Sequence, residues 1–239
     1  MSSRTESTTG RHAGAAEATP PLESGDHLTR PEFERRFEAE PGVKKAELVE
    51  GVVYMPSPVR YRHHGRPHAH LITWLGVYES ATPGVETADN STARLDLDNE
   101  PQPDAILLIT PERGGQARIS PDDFLENAPE LVAEVASSSV GLDLNAKLHV
   151  YRRNGVREYL VWRVIDCEFD WFVLRDGEYQ PLPQDADGVL KSEIFPGLWL
   201  DPQAMIDGPL GPVLATLQRG IASPEHAAFV QQLSGGGIK

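Results

Sequence analysis

Two short apolar runs, each carrying one carboxylate, constrain this chain most. The first reads Pro103-Asp104-Ala105-Ile106-Leu107-Leu108-Ile109 and the second Leu131-Val132-Ala133-Glu134-Val135-Ala136-Ser137. Ile106 to Ile109 is uninterrupted, the pattern of a strand buried on both faces. In the second run Val132, Glu134 and Ala136 share one face and Leu131, Ala133 and Val135 the other, because side chains alternate along a strand. A carboxylate inside such a strand is costly unless it is paired, hydrogen-bonded or bound to a metal. Taken alone, Asp104 and Glu134 admit two readings: a strand-end Asp with a Glu bonded to local amides, or two members of a site.

The segment after the second run favours a site. Leu144, Leu148 and Tyr151 recur at i, i+4 and i+7, an apolar helical stripe. Lys147 lies on that stripe, one turn from Leu144 and Tyr151, so it points toward the sheet. Its stem could pack while its ammonium reaches the edge; alternatively the ammonium meets Glu134 and orients an attacking water. Arg157-Glu158-Tyr159-Leu160-Val161-Trp162 then reads as another strand.

These residues resemble a known family. Pro103-Asp104, Glu134-Val135-Ala136-Ser137, Lys147, Tyr151, Gly155-Val156 and Glu158-Tyr159 are similar to the Uma2 family of restriction endonucleases, in the PD-(D/E)XK nuclease superfamily, over about residues 28–201. Glu47-Leu48-Val49-Glu50-Gly51 and His64 also fit. The resemblance implies an α/β fold, an α+β mixed sheet with restriction endonuclease-like core order helix-strand-strand-strand-helix-strand and extra β-hairpins. It implies an endonuclease hydrolysing phosphodiester bonds in nucleic acid, DNA first, with Mg²⁺ or Mn²⁺. Asp104, Glu134 and the Val135 backbone carbonyl would hold the metal, a hard ion suited to oxygen ligands. Lys147 would position or deprotonate the water. Glu47 is a third acid by resemblance and an exposed hairpin residue otherwise. The superfamily places its lysine two residues after the Glu, where this chain has Ala136, so Lys147 must replace it. Where the family often has Ser-Pro-Ser-Thr, this chain has Ser137-Ser138-Ser139-Val140, which alters the loop into the helix.

The remaining chain sets bounds. Its 239 residues suit one domain with tails. Residues 1–27 have almost no large apolar side chains and are expected to be disordered. Residues 28–201 would form the nuclease unit, and residues 202–239 a tail with a weak helix near Val213 to Leu217. A formal net charge of -14 argues against nucleic-acid binding through bulk charge. The single Cys167 suits a reducing cytoplasm. No apolar run approaches the ~20 residues of a membrane span, and the N-terminus has no apolar signal core.

Local signals fill in the order. Thr29 and Glu32 suggest a capping box, with Leu28 and Phe33 as a hydrophobic staple. Glu50-Gly51 and Asp176-Gly177 read as hairpin turns. Arg60, Arg62, His63, His64, Arg66, His68 and His70 make a local basic run. His64 and His68 tempt a zinc reading, but Pro67 is expected to start the helix near Gly65 and no Cys or carboxylate lies close by. His64 is instead expected at the mouth of the site, with Arg60, Arg62 and Arg66 available for phosphates. Residues 86–97 read as one strand and residues 111–129 as a mobile flap. Two alternatives stand beside the nuclease: a catalytically inactive nuclease-fold module with a protein partner, which the acidic charge supports, and a hydrolase of small phosphoesters. Double-strand cutting uses two active sites, which a homodimer would supply. Convergence of Arg60, Arg62, Arg66 and Lys147 on the Asp104–Glu134 cleft would favour the nuclease.

Overall fold

A computed structural model describes residues 19–56 and 58–235; the first eighteen residues of the expected disordered tail lie outside it. In chain order the helices are α1 (Arg30–Ala39), α2 (Arg66–Ala81), α3 (Val140–Leu142), α4 (Leu148–Arg153), α5 (Pro202–Asp207), α6 (Leu210–Ile221) and α7 (Pro224–Gly235). The strands are β1 (Glu47–Val49), β2 (Val52–Tyr54), β3 (Val85–Asp89), β4 (Ala93–Arg94), β5 (Ala105–Ile109), β6 (Arg118–Ile119), β7 (Leu125–Glu126), β8 (Leu131–Ala136), β9 (Glu158–Arg163), β10 (Glu168–Arg175), β11 (Glu178–Pro181), β12 (Leu190–Lys191) and β13 (Trp199–Leu200).

The central sheet has the order β11-β10-β9-β8-β5-β3. β8 and β9 are parallel, joined through α3 and α4, and the other neighbours are antiparallel. The path α2-β3-β5-β8-α4-β9 follows the expected core order, in a mixed sheet of the restriction endonuclease-like kind. All five residues of β5 and all six of β8 are buried, as uninterrupted apolar runs demand.

Alternation along β8 sends its side chains to two different cores. Leu131, Ala133 and Val135 join Leu107 and Leu160 under Leu71, Trp74, Leu75 and Tyr78 of α2. Those α2 positions recur at i, i+3, i+4 and i+7, one face of a helix. Val132 and Ala136 face the opposite way, against Tyr151, Tyr159, Val161, Leu144 and Leu148. Glu134 has the same parity as Val132 and Ala136, so it lies beneath the α4 side of the sheet. Each fully buried Leu here contributes about 1.5–3 kcal/mol.

The two hairpin signals form as expected. Glu50 and Gly51 have φ of 53° and 73°, and Asp176 and Gly177 have 50° and 81°. Two successive positive φ values make a turn whose twist matches the flanking strands.

Several expectations change. Residues 19–27 are held, not loose: Leu22 is buried with Phe33, Leu48 and Val53, and the Gly25 N–H donates to the Val53 carbonyl at 2.8 Å. Thr29 sits at the N-cap without a side-chain capping bond. Glu32 turns instead to the guanidinium groups of Arg35 and Arg36, 2.7 Å from each, which are stronger partners than a backbone amide. Residues 86–97 break at Asn90, with φ of 49°, into β3 and β4. Residues 111–129 are not a free flap: β6 and β7 pair with β4 in a small sheet, and Ala117 and Leu125 cover Ile106 and Leu108 of β5. Residues 202–235 are not a tail either. Met205, Val213, Leu217, Phe229 and Leu233 pack into the same core as α2. The buried ring of His226 also bonds the Thr82 hydroxyl at 2.9 Å. Short α-forming runs broken at Gly208-Pro209 and Ser223-Pro224 look weak singly, and packing on α2 stabilises them. Among the described residues no helix is long and apolar enough to cross a membrane.

Candidate active site

β5 and β8 run antiparallel with Ala105 opposite Ala133. One step further along this register, Asp104 stands opposite Glu134 on the same face of the sheet. The two strands clamp each other there. Asp104 Oδ2 accepts the Val135 N–H at 2.8 Å, and Glu134 Oε2 accepts the Asp104 N–H at 3.4 Å. Both carboxylates are buried, at 5% and 4% exposure. The Val135 N–H faces the β5 side where β5 has already ended, and in a strand the carbonyl of the same residue faces the same way. The next carbonyl, of Ala136, is used by β9 through the Val164 N–H at 2.9 Å.

Lys147 completes the group. Its Nζ donates to Glu134 Oε1 and to Glu47 Oε1, each at 2.9 Å, and lies 3.8 Å from Asp143 Oδ1. The Tyr151 hydroxyl also donates to Glu134 Oε1, at 2.9 Å. A π-helical turn, Asp143–Lys147, separates α3 from α4. Such turns hold one extra residue and occur often at functional sites; this one buries Asp143 and Lys147 together. Glu47 comes from the first residue of the β1–β2 hairpin and also accepts the Gln102 N–H at 2.7 Å, so it belongs to the site and is not an exposed hairpin residue.

Charge in this group is unbalanced. Four carboxylates, of Glu47, Asp104, Glu134 and Asp143, surround one ammonium. Burial by itself would lower the Lys147 pKa, but Glu134, Glu47 and Asp143 outweigh it and hold the ammonium well above its ordinary range. Burial pushes the Glu134 carboxyl upward, opposed by Lys147, and pushes Asp143 to about 6. With several acids competing for one cation, Lys147 keeps its proton and the excess negative charge is shared among the carboxyls. Burial also acts to raise Asp104, but the His64 ring and the Val135 N–H hold its carboxyl below the usual range.

His64 lies at the site, with Nε2 3.2 Å from Asp104 Oδ2. His68 Nε2 donates to the Asp104 backbone carbonyl at 2.8 Å and meets Asp89 Oδ1 at 3.0 Å. The helix α2 starts beside Gly65 as Pro67 implied, but the expectation that no carboxylate lies close by is overturned, because Asp104 and Asp89 meet the two rings. A second π-helical turn, Tyr61–Gly65, leads straight into α2, and Pro67 falls in the first turn, where its missing N–H costs nothing. The rings therefore sit 5.6 Å apart, but both are spent on Asp104 and Asp89. Among the described residues no group of three or more His, Cys, Asp or Glu is arranged to hold a metal ion. The expected donors, Asp104, Glu134 and the Val135 carbonyl, would make the sparse oxygen set that Mg²⁺ takes when it keeps several waters. The excess of buried negative charge fits a divalent cation.

The group lies on a cleft of about 980 Å³, also lined by Arg60, Lys45 and His63. Arg62 and Arg66 are not there. They line a separate pocket of about 100 Å³, where Arg66 donates to the Gly208 carbonyl at 2.9 Å. The expected convergence of the arginines is thus split, with Arg60 on the cleft and Arg62 and Arg66 on the pocket. Sequence reasoning missed Asp143 and Lys45 as cleft residues, and Tyr151 and His68 as partners of the carboxylates. Only the Asp143–Lys147 pair had a legible signal, its i, i+4 spacing.

The Uma2 family, described as "Putative restriction endonuclease", matches residues 30–203. No curated protein matches the chain. Among solved structures, one described as a putative nuclease belonging to DUF820, from Anabaena variabilis ATCC 29413, superposes with a TM-score of 0.53. It is 13% identical, over 75% of this chain and 99% of that one; at this identity the likeness is one of fold. The family match takes in Glu47, His64, Asp104, Glu134, Asp143 and Lys147, all from the cleft just described, and on its extent the chain belongs to the Uma2 family.

Proposed function

We propose that the protein is a metal-dependent endonuclease that hydrolyses phosphodiester bonds in nucleic acid, with DNA as the first substrate to test. The observation that carries this reading is Asp104 opposite Glu134 across the β5–β8 edge, with Lys147 bonded to Glu134 at 2.9 Å. Asp104, Glu134 and the Val135 carbonyl are the residues that would hold Mg²⁺, or Mn²⁺ in its place. The ion, when bound, would supply Lewis-acid stabilisation of charge on the scissile phosphate.

The chain's own residues have separable tasks. Lys147 has three N–H donors; two go to Glu134 and Glu47, which leaves one for a water or a phosphate oxygen. As a held ammonium it orients the water and does not deprotonate it. Tyr151 and Lys147 together fix Glu134 Oε1, leaving Oε2 toward Asp104. His64 steadies Asp104 from the cleft side, and Arg60 and Lys45 bring positive charge to the opening.

Calorimetry with Mg²⁺ or Mn²⁺ tests the metal set: wild type binds and Asp104→Ala does not. If both bind alike, or neither binds even beside a non-cleavable oligonucleotide, the proposed ligands are wrong. A second reading, an inactive module with a protein partner, has one observation in its favour, that Arg62 and Arg66 line a separate pocket and not the cleft itself. Metal binding without cleavage of any oligonucleotide would favour it.

A further inference from the structure

The cleft and the small pocket share a wall. His63 lines the cleft and Arg62 the pocket, from adjacent positions of the π-turn; Ile165 lines the cleft and Val164 the pocket, from adjacent positions after β9. A strand leaving the catalytic floor over Ile165 therefore enters a pocket carrying Arg62, Arg66 and His70. Among the described residues Arg60, Arg62 and Arg66 form no ion pair, although most other arginines do, including Arg94, Arg152, Arg153 and Arg163. In a chain with a net charge of -14, unpaired arginines clustered beside a cleft mark an anion track.

The depth and the rim of the cleft restrict which nucleic acid can run along that track. Asp104, Glu134 and Lys147 are no more than 5% exposed, so the scissile phosphate must descend to a recessed floor. Bringing one backbone of a stiff duplex down to such a floor costs a deformation energy that a flexible single strand does not incur. The rim carries apolar groups: Val59 is 67% and Ile165 61% exposed on the cleft; Tyr61, next in the chain to Arg60 and Arg62 though lining neither cavity, is 74% exposed. Apolar and aromatic groups alternating with cations suit unstacked bases along a single strand.

We propose that the substrate is single-stranded nucleic acid, and that the Arg62–Arg66–His70 pocket holds a phosphate of the same strand neighbouring the one at the Asp104–Glu134 floor. This rests on the nuclease reading only for the identity of the floor; the track itself is a binding site.

The test measures binding of one labelled oligonucleotide, as single strand and as duplex, to the full chain in Ca²⁺ over a series of salt concentrations. The single strand binds at least tenfold more tightly than the duplex. Arg62→Glu weakens single-strand binding about tenfold and lowers the salt slope by about one, with an unchanged melting temperature. Arg118→Glu, on the exposed strand β6 away from both pockets, serves as the charge control and leaves binding as it was. Equal or tighter binding of duplex, no binding of either form, or no effect of Arg62→Glu overturns the proposal. A separate cleavage assay of wild type in Mg²⁺ reads the nuclease assignment. Tight single-strand binding without cleavage sinks that assignment and leaves the track standing, and duplex cleavage with equal binding does the reverse.

Discussion

At the scale of single residues, Glu134 and Lys147, the centre of the proposed mechanism, also carry a structural risk. Replacing Glu134 by Ala is expected to abolish metal-dependent cleavage while the far-ultraviolet circular dichroism spectrum stays native. Persistent cleavage by that variant, purified free of host nuclease, would sink its catalytic role. Lys147 is held by Glu47, Glu134 and Asp143. Lys147→Met leaves those carboxyls buried without their cation and is expected to cost about 3 kcal/mol in urea unfolding. Adding Glu134→Gln removes one of the stranded charges, so the double variant should recover part of the loss; strictly additive losses would mean the pair is not coupled.

At the scale of elements, irregular helix turns place the site. Lys147 and His64 each lie on a π-helical turn, and each meets a carboxylate of the site, Glu134 for Lys147 and Asp104 for His64. Supporting loops are equally constrained. A Cβ at Gly115 would lie 1.7 Å from the Ile109 carbonyl oxygen, so this backbone must pass against the end of β5. Glu130 beside it accepts the Ile109 and Gln116 N–H groups, both at 2.9 Å. Gly115→Ala is expected to destabilise the protein by about 1–3 kcal/mol, the range for overpacking, read as a lower midpoint of urea unfolding. An unchanged midpoint would mean this loop is not packed as described. Gly115 thus serves packing, while Gly114 takes the left-handed turn at φ 91° before it.

At the scale of the whole molecule, buried acids set the pH response. Glu158 is fully buried, and its carboxyl accepts the Ser192 hydroxyl and the N–H groups of Glu193 and Ile194. Burial pushes it from its ordinary 4.5 up to about 7, against those donors. A raised carboxyl keeps its proton in the fold after the unfolded chain has lost it. Its contribution is complete below pH 4.5 and is lost as pH rises through 7, at most roughly 3 kcal/mol. The melting temperature should therefore fall between pH 5 and 8, and Glu158→Gln should flatten that fall; an equally steep profile in the variant would assign it to other groups. α6 and α7 belong to this same core, so ending the chain after Gly208 would uncover Leu71, Trp74 and Tyr78 and should lower the melting temperature sharply.

Features that depend on neighbours along the chain were legible in the sequence. Uninterrupted apolar runs marked β5 and β8, alternation put Glu134 with Val132 and Ala136, the i, i+4, i+7 stripe turned Lys147 inward, and Glu50-Gly51 and Asp176-Gly177 set their turns. Features that depend on contacts distant in sequence came only with the tertiary fold. It made Glu47 a partner of Lys147 across one hundred positions, gathered α5–α7 onto α2, folded residues 111–129 into a small sheet, and parted Arg62 and Arg66 from Arg60. The difference is one of range. Strand alternation and helix periodicity repeat over a few residues and leave a readable pattern. A π-turn's extra residue, or a buried ion pair between two far segments, has no periodic signature and exists only once the sheet and its helices have closed on each other.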